Sequence, residues 1–484
     1  MGSNYLNKKK VCIVGGGQSG LVSLKRILES PFLTGTIIEQ KDNIGGLWYY
    51  NGIKEFSASS RNMGKTLPDP ENTTSMYDNL SCNGSYTLME FLDYKYEEDV
   101  ETYLAQSKVF EYMQGYAKHF NLWPNIQLNT SVVDIRPENP SAPEGEPGKW
   151  IVETHNLKTD TFSTEIYDAV MICVGKNSYP YQSPIEGQDT FQGKIFHTKY
   201  YKNSKDFKGK QIVLIGFGPS SADVLLQLSK TAEKVTACHR FPYGYQFGLL
   251  PENCRETKTV KLITKDGVVT EDDEVIPCDV IVLCTGYGLK FPFLNESCGV
   301  TVIKEKYVPH LYNLTIFTKK PTLAFLNLCY RSAEFIVVEI QARYFVSYLE
   351  GKTKLPSYEE MEAVLQAEEA EKVKKGLPYS LWFQIGDFFG IESWAHFWKL
   401  AEEIGIMGEY KGAPALEKIY GLLIGRLCGA LAVYKQDKVK KINDNTWEII
   451  MAASPLGKAE RIVLTLNPDN TLTSTTEEVT EVAE

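Results

Sequence analysis

The chain has 484 residues, 43% apolar and 23% charged, with 61 acidic against 51 basic side chains and a formal charge of −10. That length supports two or three domains with real cores, and the acidic balance excludes nucleic acid or an anionic membrane as the main partner while allowing a local basic patch for an anionic cofactor. Ten cysteines without a C-x-x-C pair, with Cys12, Cys173 and Cys284 inside apolar runs, indicate reduced, buried thiols and a cytoplasmic setting.

From Val11 the chain reads strand, tight turn, helix, then a second strand TIIEQ at 36–40. Such an early strand leaves no room for a secretory signal. Gly15, Gly17 and Gly20 form G-x-G-x-x-G in KKVCIVGGGQSG. Glycines at this spacing permit the turn and let backbone N–H groups approach a pyrophosphate at the helix N-terminus. Glu39 follows Gly15 by 24 positions. A carboxylate there accepts hydrogen bonds from ribose hydroxyls and repels a 2′-phosphate, which predicts FAD or NAD(H). Gly45, Gly46 and Trp48 in DNIGGLW suggest a second close backbone approach to the same cofactor.

Strands are expected near 130 and 150, joined by the surface turn SAPEGEPGK at 141–149. DAVMICVG at 168–175 and DVIVLCTGYG at 279–288 are short strands that begin with Asp, run into glycine and soon meet Pro180 and Pro292. They read as exits between domains. The prediction is a nucleotide domain at 176–290, inserted into a larger one made from 1–175 and 291–484. Inside it, QIVLIGFGPSSAD at 211–223 repeats the cradle with Gly216 and Gly218, and Ser221 replaces the third glycine. Arg240 stands 24 positions after Gly216, preceded by His239. A guanidinium at this strand end suits a 2′-phosphate; the alternative is a solvated surface arginine. Equal spacing with opposite charge predicts FAD at the first cradle and NADPH at the second.

Beyond 350, Ser357 to Lys375 reads as an amphipathic helix with a Ser357/Glu360 capping box, stopped by Gly376 and Pro378. GLLIGRLCGALAVY at 421–434 is too short for a membrane span, is broken by Arg426, and reads as a buried helix. Short strands at 438–468 have no evident role, and TSTTEEVTEVAE reads as a disordered acidic tail with no membrane anchor. No cysteine lies between Cys12 and Cys82, which argues against a disulfide reductase. Metal-ligand spacing and a G-x-S-x-G elbow are also absent from the sequence. Oxygen is then the acceptor that needs least protein machinery, because the cofactor carries the hard chemistry.

FQGKIFHTKYY at 191–201 places Phe191, Gly193, His197 and Tyr201 on F-x-G-x-x-x-H-x-x-x-[FY]. With this motif the chain resembles the class B flavin-containing monooxygenases over roughly 10–345. It shares both nucleotide motifs, the E-(x)5-GG-x-W pattern of Glu39–Trp48, T-G-Y at Thr285–Tyr287 and E-x-Q-A-R at Glu339–Arg343. The resemblance implies an α/β fold of two Rossmann-like dinucleotide-binding domains, the NADPH domain inserted into the FAD domain. It also implies that NADPH reduces FAD, that O2 adds to give a flavin C4a-hydroperoxide, and that a small amine or sulfide attacks it. Tyr201, where Baeyer–Villiger enzymes carry Trp, tilts the resemblance toward nitrogen and sulfur. A Baeyer–Villiger enzyme, an uncoupled NADPH oxidase or flavin reductase, and a non-enzymatic redox-sensing module are the competing readings.

By the same resemblance, cofactor contacts fall on Gly15, Gly17, Gln18, Ser19, Gly20, Glu39, Gln40, Gly46, Leu47 and Trp48 for the first cradle. The remaining contacts are Gly216, Gly218, Pro219, Ser220, Ser221, Arg240, Thr285, Gly286, Tyr287 and Gln341. Asn83, in the order Tyr77, Leu80, Asn83, is the implied peroxide-stabilising amide, although Asn83–Gly84 is also an ordinary turn dipeptide. His197 is implied to link domains rather than move protons. Two departures stand out: Pro219 where relatives commonly carry Asn, and Lys176 where animal relatives often show His. Substrate-lining residues are expected from 50–80 and beyond 345. Oligomeric state stays open, a homodimer included.

Overall fold

Val11–Val14, Ala169–Ile172 and Val280–Leu283 are unbroken apolar runs, the pattern of strands covered on both faces of a parallel sheet. The computed structural model describes residues 8–50, 74–97, 100–181, 184–240, 250–330, 332–385, 390–454 and 457–479. In it these runs are the inner strands of two separate sheets. The seven-stranded sheet has the order Leu311–Tyr312, Ile316–Phe317, Leu323–Phe325, Ala169–Ile172, Lys9–Val14, Leu33–Ile38, Ile126–Gln127. Its strands come from both sides, in sequence, of the five-stranded parallel sheet Cys254–Lys258, Lys234–His239, Gln211–Ile215, Val280–Leu283, Lys194–His197. One α/β unit is thus inserted in the other.

The two units repeat each other closely. Lys9–Val14 lies parallel between Leu33–Ile38 and Ala169–Ile172, and Gln211–Ile215 lies parallel between Lys234–His239 and Val280–Leu283. The aspartates that open the two exit strands do the same job. Asp168 Oδ2 accepts the N–H of Lys10, and Asp279 Oδ2 that of Gln211, each at 2.8 Å. Each carboxylate ties the start of one strand to the start of its neighbour.

The exits themselves pair. Tyr179–Pro180 and Tyr287–Gly288 form a two-stranded antiparallel ribbon between the sheets. Thr285 Oγ1 donates to the Tyr181 carbonyl at 2.6 Å, and the N–H of Tyr181 returns to Gly286 O at 2.9 Å.

Helix Glu334–Leu349 packs along helix Gln18–Glu29 of the first cradle. The contact is pinned by Glu339 of the E-x-Q-A-R stretch, 1% exposed, which pairs with Arg26 and also accepts the Leu92 N–H at 2.9 Å. A three-stranded antiparallel excursion, Thr130–Pro137, Trp150–Asn156 and Thr161–Tyr167, flanks the same unit.

Past residue 350, helix Tyr358–Lys374 carries the expected Ser357/Glu360 capping box, and Gly376 takes φ +63° just beyond its end. Helix Ala413–Gly429 buries Ile419, Tyr420, Leu423 and Leu427, with Arg426 paired to Asp437. The tail expectation needs correction. Leu472–Glu478 is the fourth strand of an antiparallel sheet with Lys438–Asn443, Thr446–Met451 and Glu460–Leu466. β-branched threonines make this polar stretch a good edge strand, and Arg461 and Lys458 take Glu477 and Glu478 as cross-strand partners; residues 480–484 lie outside the described residues. All ten cysteines are free thiols. Among the described residues, no helix is long and apolar enough to cross a membrane.

Removing one member of a buried ion pair strands the other, at a cost of about 3–5 kcal/mol. Glu339→Ala should therefore lower unfolding free energy by about that amount, read as a fall in the urea midpoint. Lys108→Ala, from an exposed helix pair, should leave the midpoint where it is.

Candidate functional site

The first cradle is a place where main chains meet. Gly15 has φ +106°, and a Cβ on it would lie 2.7 Å from the Cys173 carbonyl oxygen. A Cβ on Gly20 would lie 2.0 Å from Gly15 O, and one on Gly46, at φ +53°, 2.9 Å from Gly17 Cα. The Gly45 N–H donates to Gly16 O at 2.9 Å, so the Gly-Gly turn is laced onto the cradle. Helix Gln18–Glu29 then starts at Gly17 with no side-chain cap. Its orphan first-turn N–H groups open into a cleft and present the positive end of the helix dipole.

That cleft has a cavity volume of about 350 Å³. Gly15, Gly17, Gln18, Ser19, Glu39, Gln40, Gly46, Leu47 and Trp48 all line it; Gly20 lies behind, in the helix. Glu39 is 6% exposed and is held by two backbone donors, Gly16 N–H to Oε2 at 2.7 Å and Lys41 N–H to Oε1 at 2.9 Å. Each oxygen keeps a lone pair for a further donor. An uncapped helix end and a held carboxylate beside Thr130–Val133, both lining one cleft, fit a dinucleotide.

At its other end the cleft carries residues that sequence reading did not bring together. Lys176, buried, donates to Asn327 Oδ1 at 3.2 Å and Cys329 O at 2.5 Å, and pairs with Glu334 Oε1 at 2.9 Å. Glu334, in the first turn of its helix, also takes Gln18 Nε2 at 3.3 Å. Burial raises the Glu334 pKa, but Lys176 outweighs it and leaves the carboxyl below its ordinary value. Lys199 faces the cleft as well and donates to Ser178 O. Gln341 stays off the cleft. It is fully buried, donating to Leu314 O and Thr315 Oγ1 and accepting the N–H of Asn327, so it supports a wall residue.

The second cradle copies the first with a difference of one residue. Gly216 has φ +94°, and its Cβ would lie 2.5 Å from Cys284 O, the counterpart of Cys173 O. Helix Pro219–Leu228 starts at Gly218, with Pro219 and Ser220 exposed. Ser221 is more than a small replacement, because its hydroxyl accepts the Gly218 N–H at 2.6 Å and donates to Gly218 O at 2.9 Å. Register sets Val14 beside Ile38 but Ile215 beside Cys238. His239 therefore stands level with Glu39, and Arg240 lies one residue farther out. His239 is buried, stacks 5.3 Å from Phe217 and sits 3.3 Å from Glu256 Oε2, whereas Arg240 is exposed. The following residues, 241–249, lie outside those described.

Thr285, Gly286 and Tyr287 form the inter-sheet ribbon rather than the cleft wall. His197 closes it, donating from Nε2 to Gly286 O at 2.9 Å while Nδ1 accepts the Lys199 N–H at 3.1 Å. Burial lowers its pKa to about 4, so it is neutral near pH 7 and unsuited to proton shuttling. Asn83 is half-buried beside the second cradle. Its Nδ2 donates to Pro219 O at 3.3 Å and its Oδ1 accepts from Tyr434 at 2.7 Å. Most of the expected substrate segment, 51–73, lies outside the described residues. Among the described residues no cluster is suited to a metal.

A family model described as flavin-binding monooxygenase-like matches residues 8–242 and 251–387. Senecionine N-oxygenase of Tyria jacobaeae is 32% identical over 374 residues, covering 74% of this chain and 75% of that protein. The solved S-allyl-L-cysteine S-oxygenase of Allium sativum is 25% identical with a TM-score of 0.77, over 89% of this chain and 95% of its own. Tmm of Pelagibacter sp. strain HTCC7211 shares the fold at a TM-score of 0.75 and 22% identity, over 90% and 94% of the two chains.

Because His197 is neutral when folded but protonates near its ordinary value of 6.5 when unfolded, acid favours the unfolded chain. Stability should hold above pH 6.5 and fall as pH drops toward 4. Urea midpoints across that window should decline less steeply in His197→Gln; the buried His396, also lowered to about 4, accounts for a remainder.

Proposed function

The chain belongs to the flavin-binding monooxygenase-like family, and from that premise we propose that it uses FAD and NADPH to insert one oxygen atom of O2 into a soft nitrogen or sulfur of a small molecule. The observation that carries this reading is the contrast between the two cradles. Carboxylate Glu39 lines the first cleft, while guanidinium Arg240 is exposed at the strand end beside the second cradle. A carboxylate suits an unmodified ribose and a guanidinium a 2′-phosphate. The relatives named for N-oxygenation and S-oxygenation support a heteroatom over a ketone.

In this reading the first cradle's uncapped helix takes the FAD pyrophosphate, Glu39 its ribose hydroxyls, and the Gly46–Trp48 turn the stretch beyond. The second cradle and Arg240 take NADPH. Bound flavin supplies the oxygen-transfer chemistry, through the C4a-hydroperoxide that the family resemblance implies. Protein groups bind, orient and exclude water, and Asn83 offers an amide N–H. The ribbon at 179–181 and 285–288 supports domain boundaries near 175 and 290.

The test is NADPH consumption by flavin-loaded protein with trimethylamine, a cyclic tertiary amine, a thioether and a ketone, while peroxide is followed. Oxygenated amine or sulfide supports the reading; ester from the ketone, or peroxide alone with every compound, replaces it. Arg240→Ala should raise KM for NADPH roughly ten- to a hundredfold, one charge-assisted contact of about 1.5–3 kcal/mol, with little change for NADH. Equal losses with both coenzymes would remove Arg240 from the site.

A further inference from the structure

The family match ends at residue 387, yet the chain beyond it returns to the functional site. The short helix Tyr434–Gln436 is anchored by Asp437, whose carboxylate binds Arg426 through two hydrogen bonds of 2.8 Å and accepts the Ala452 N–H. Tyr434 is fully buried, packed edge-on against Tyr103 at 5.4 Å. Its hydroxyl donates to Asn83 Oδ1 at 2.7 Å. The next residue, Lys435, reaches Asp223 Oδ1 of the second-cradle helix and both Ser81 O and Ser81 Oγ. Asp223 Oδ2 in turn accepts from Tyr77 at 2.7 Å. Three segments distant in sequence, 77–83, 219–228 and 434–437, are thus tied by one polar cluster.

The chemistry of that cluster fixes which way the Asn83 amide points. Pro219 O can only accept, so it requires the Nδ2 group on its side. The opposite side then presents Oδ1, which requires a donor, and Tyr434 provides it. Burial pushes the Tyr434 hydroxyl above its ordinary range, so it remains a donor across the working pH. The amide is held by a carbonyl on one side and a phenol on the other, and among the described residues its second Nδ2–H has no partner. Without the phenol the amide has a single weak tether.

We infer that Tyr434 is a positioning residue for the oxygenation step, orienting the Asn83 amide from the C-terminal region and tying it to the second cradle. The inference rests on the reading of Asn83 as the amide that faces the reacting oxygen. Loss of orientation should appear as uncoupling: two electrons and a proton from NADPH, with a second proton from solvent, leave on O2 as hydrogen peroxide.

Substrate-free peroxide release tests this without knowledge of the natural substrate. Full-length, flavin-loaded wild type, Asn83→Ala, Tyr434→Phe and the double variant are compared at saturating NADPH, with flavin content and melting temperature as integrity checks. Tyr434→Phe removes one oxygen and no packing atom. Each single variant should release peroxide about tenfold faster, the effect of one hydrogen bond, and the double variant no faster than the larger single. Acceleration in Asn83→Ala with wild-type behaviour in Tyr434→Phe overturns the positioning role while Asn83 stands. Multiplying effects in the double variant overturn it also, because Tyr434 would then act elsewhere. No acceleration in Asn83→Ala removes the reading of Asn83, and the inference with it.

Discussion

The fold is arranged around two glycine-led helix starts, each following the carboxyl end of a parallel inner strand, and the first of them carries no side-chain cap. An uncapped N-terminus is a liability in a closed core, because its orphan N–H groups need partners. Here the first is exposed to a cleft and made approachable by removing every Cβ that would stand in the way. Gly15 against Cys173 O, Gly20 against Gly15 O and Gly46 against Gly17 are contacts between backbones, and an added Cβ would lie 2.7, 2.0 and 2.9 Å from them, too close for any side chain. Strand register, exit direction and the Gly-Gly turn all serve that approach. The second unit obeys the same constraint at Gly216 and Cys284 O.

A second constraint follows from insertion. One unit interrupts the other, so two chain crossings must be held at a defined angle if ligands at the two cradles are to meet. The crossings pair as a ribbon; one buried lysine ties segment 74–76 to 199–202, and another, half-buried, braces the ribbon itself. Lys202 donates to Thr74 O, Met76 O and Lys199 O, and burial lowers its pKa to about 8. Lys306 donates to Tyr287 O with its ammonium 3.8 Å over the Tyr181 ring, and its pKa is likewise lowered to about 8. These ammonium groups hold main-chain carbonyls, which makes them structural joints. His197 belongs with them: the fingerprint motif that names the fold's ancestry is here a joint.

Local signals were legible in the sequence because their causes are local. The cradles, the Asp-led exit strands and the Ser357 capping box each depend on residues within one turn or one strand. What was missed depends on topology. Lys176, Asn327 and Glu334 meet only because the seven-stranded sheet places Ala169–Ile172 beside Leu323–Phe325; the lone lysine after a strand-end glycine was the sole hint. Equal spacing to Glu39 and Arg240 concealed a one-residue difference in register, which only the strand pairing reveals. Polar Thr and Glu near the C-terminus read as a tail because the partner strand that satisfies them, Glu460–Leu466, is itself unremarkable in sequence.

The thiols complete the argument for chemistry carried by a cofactor. Cys173 lines the cleft, and Cys284 lies against the second cradle. In a flavin monooxygenase an exposed thiolate beside a cradle would itself be open to oxidation, since the thiolate is the reactive form. Burial pushes Cys173 up to about 12 and Cys284 higher still, although a neighbouring serine hydroxyl, Ser23 and Ser221 respectively, works against each shift. Both sulfurs stay protonated at neutral pH. The same glycine turns therefore set protonated, unreactive thiols beside both cradles.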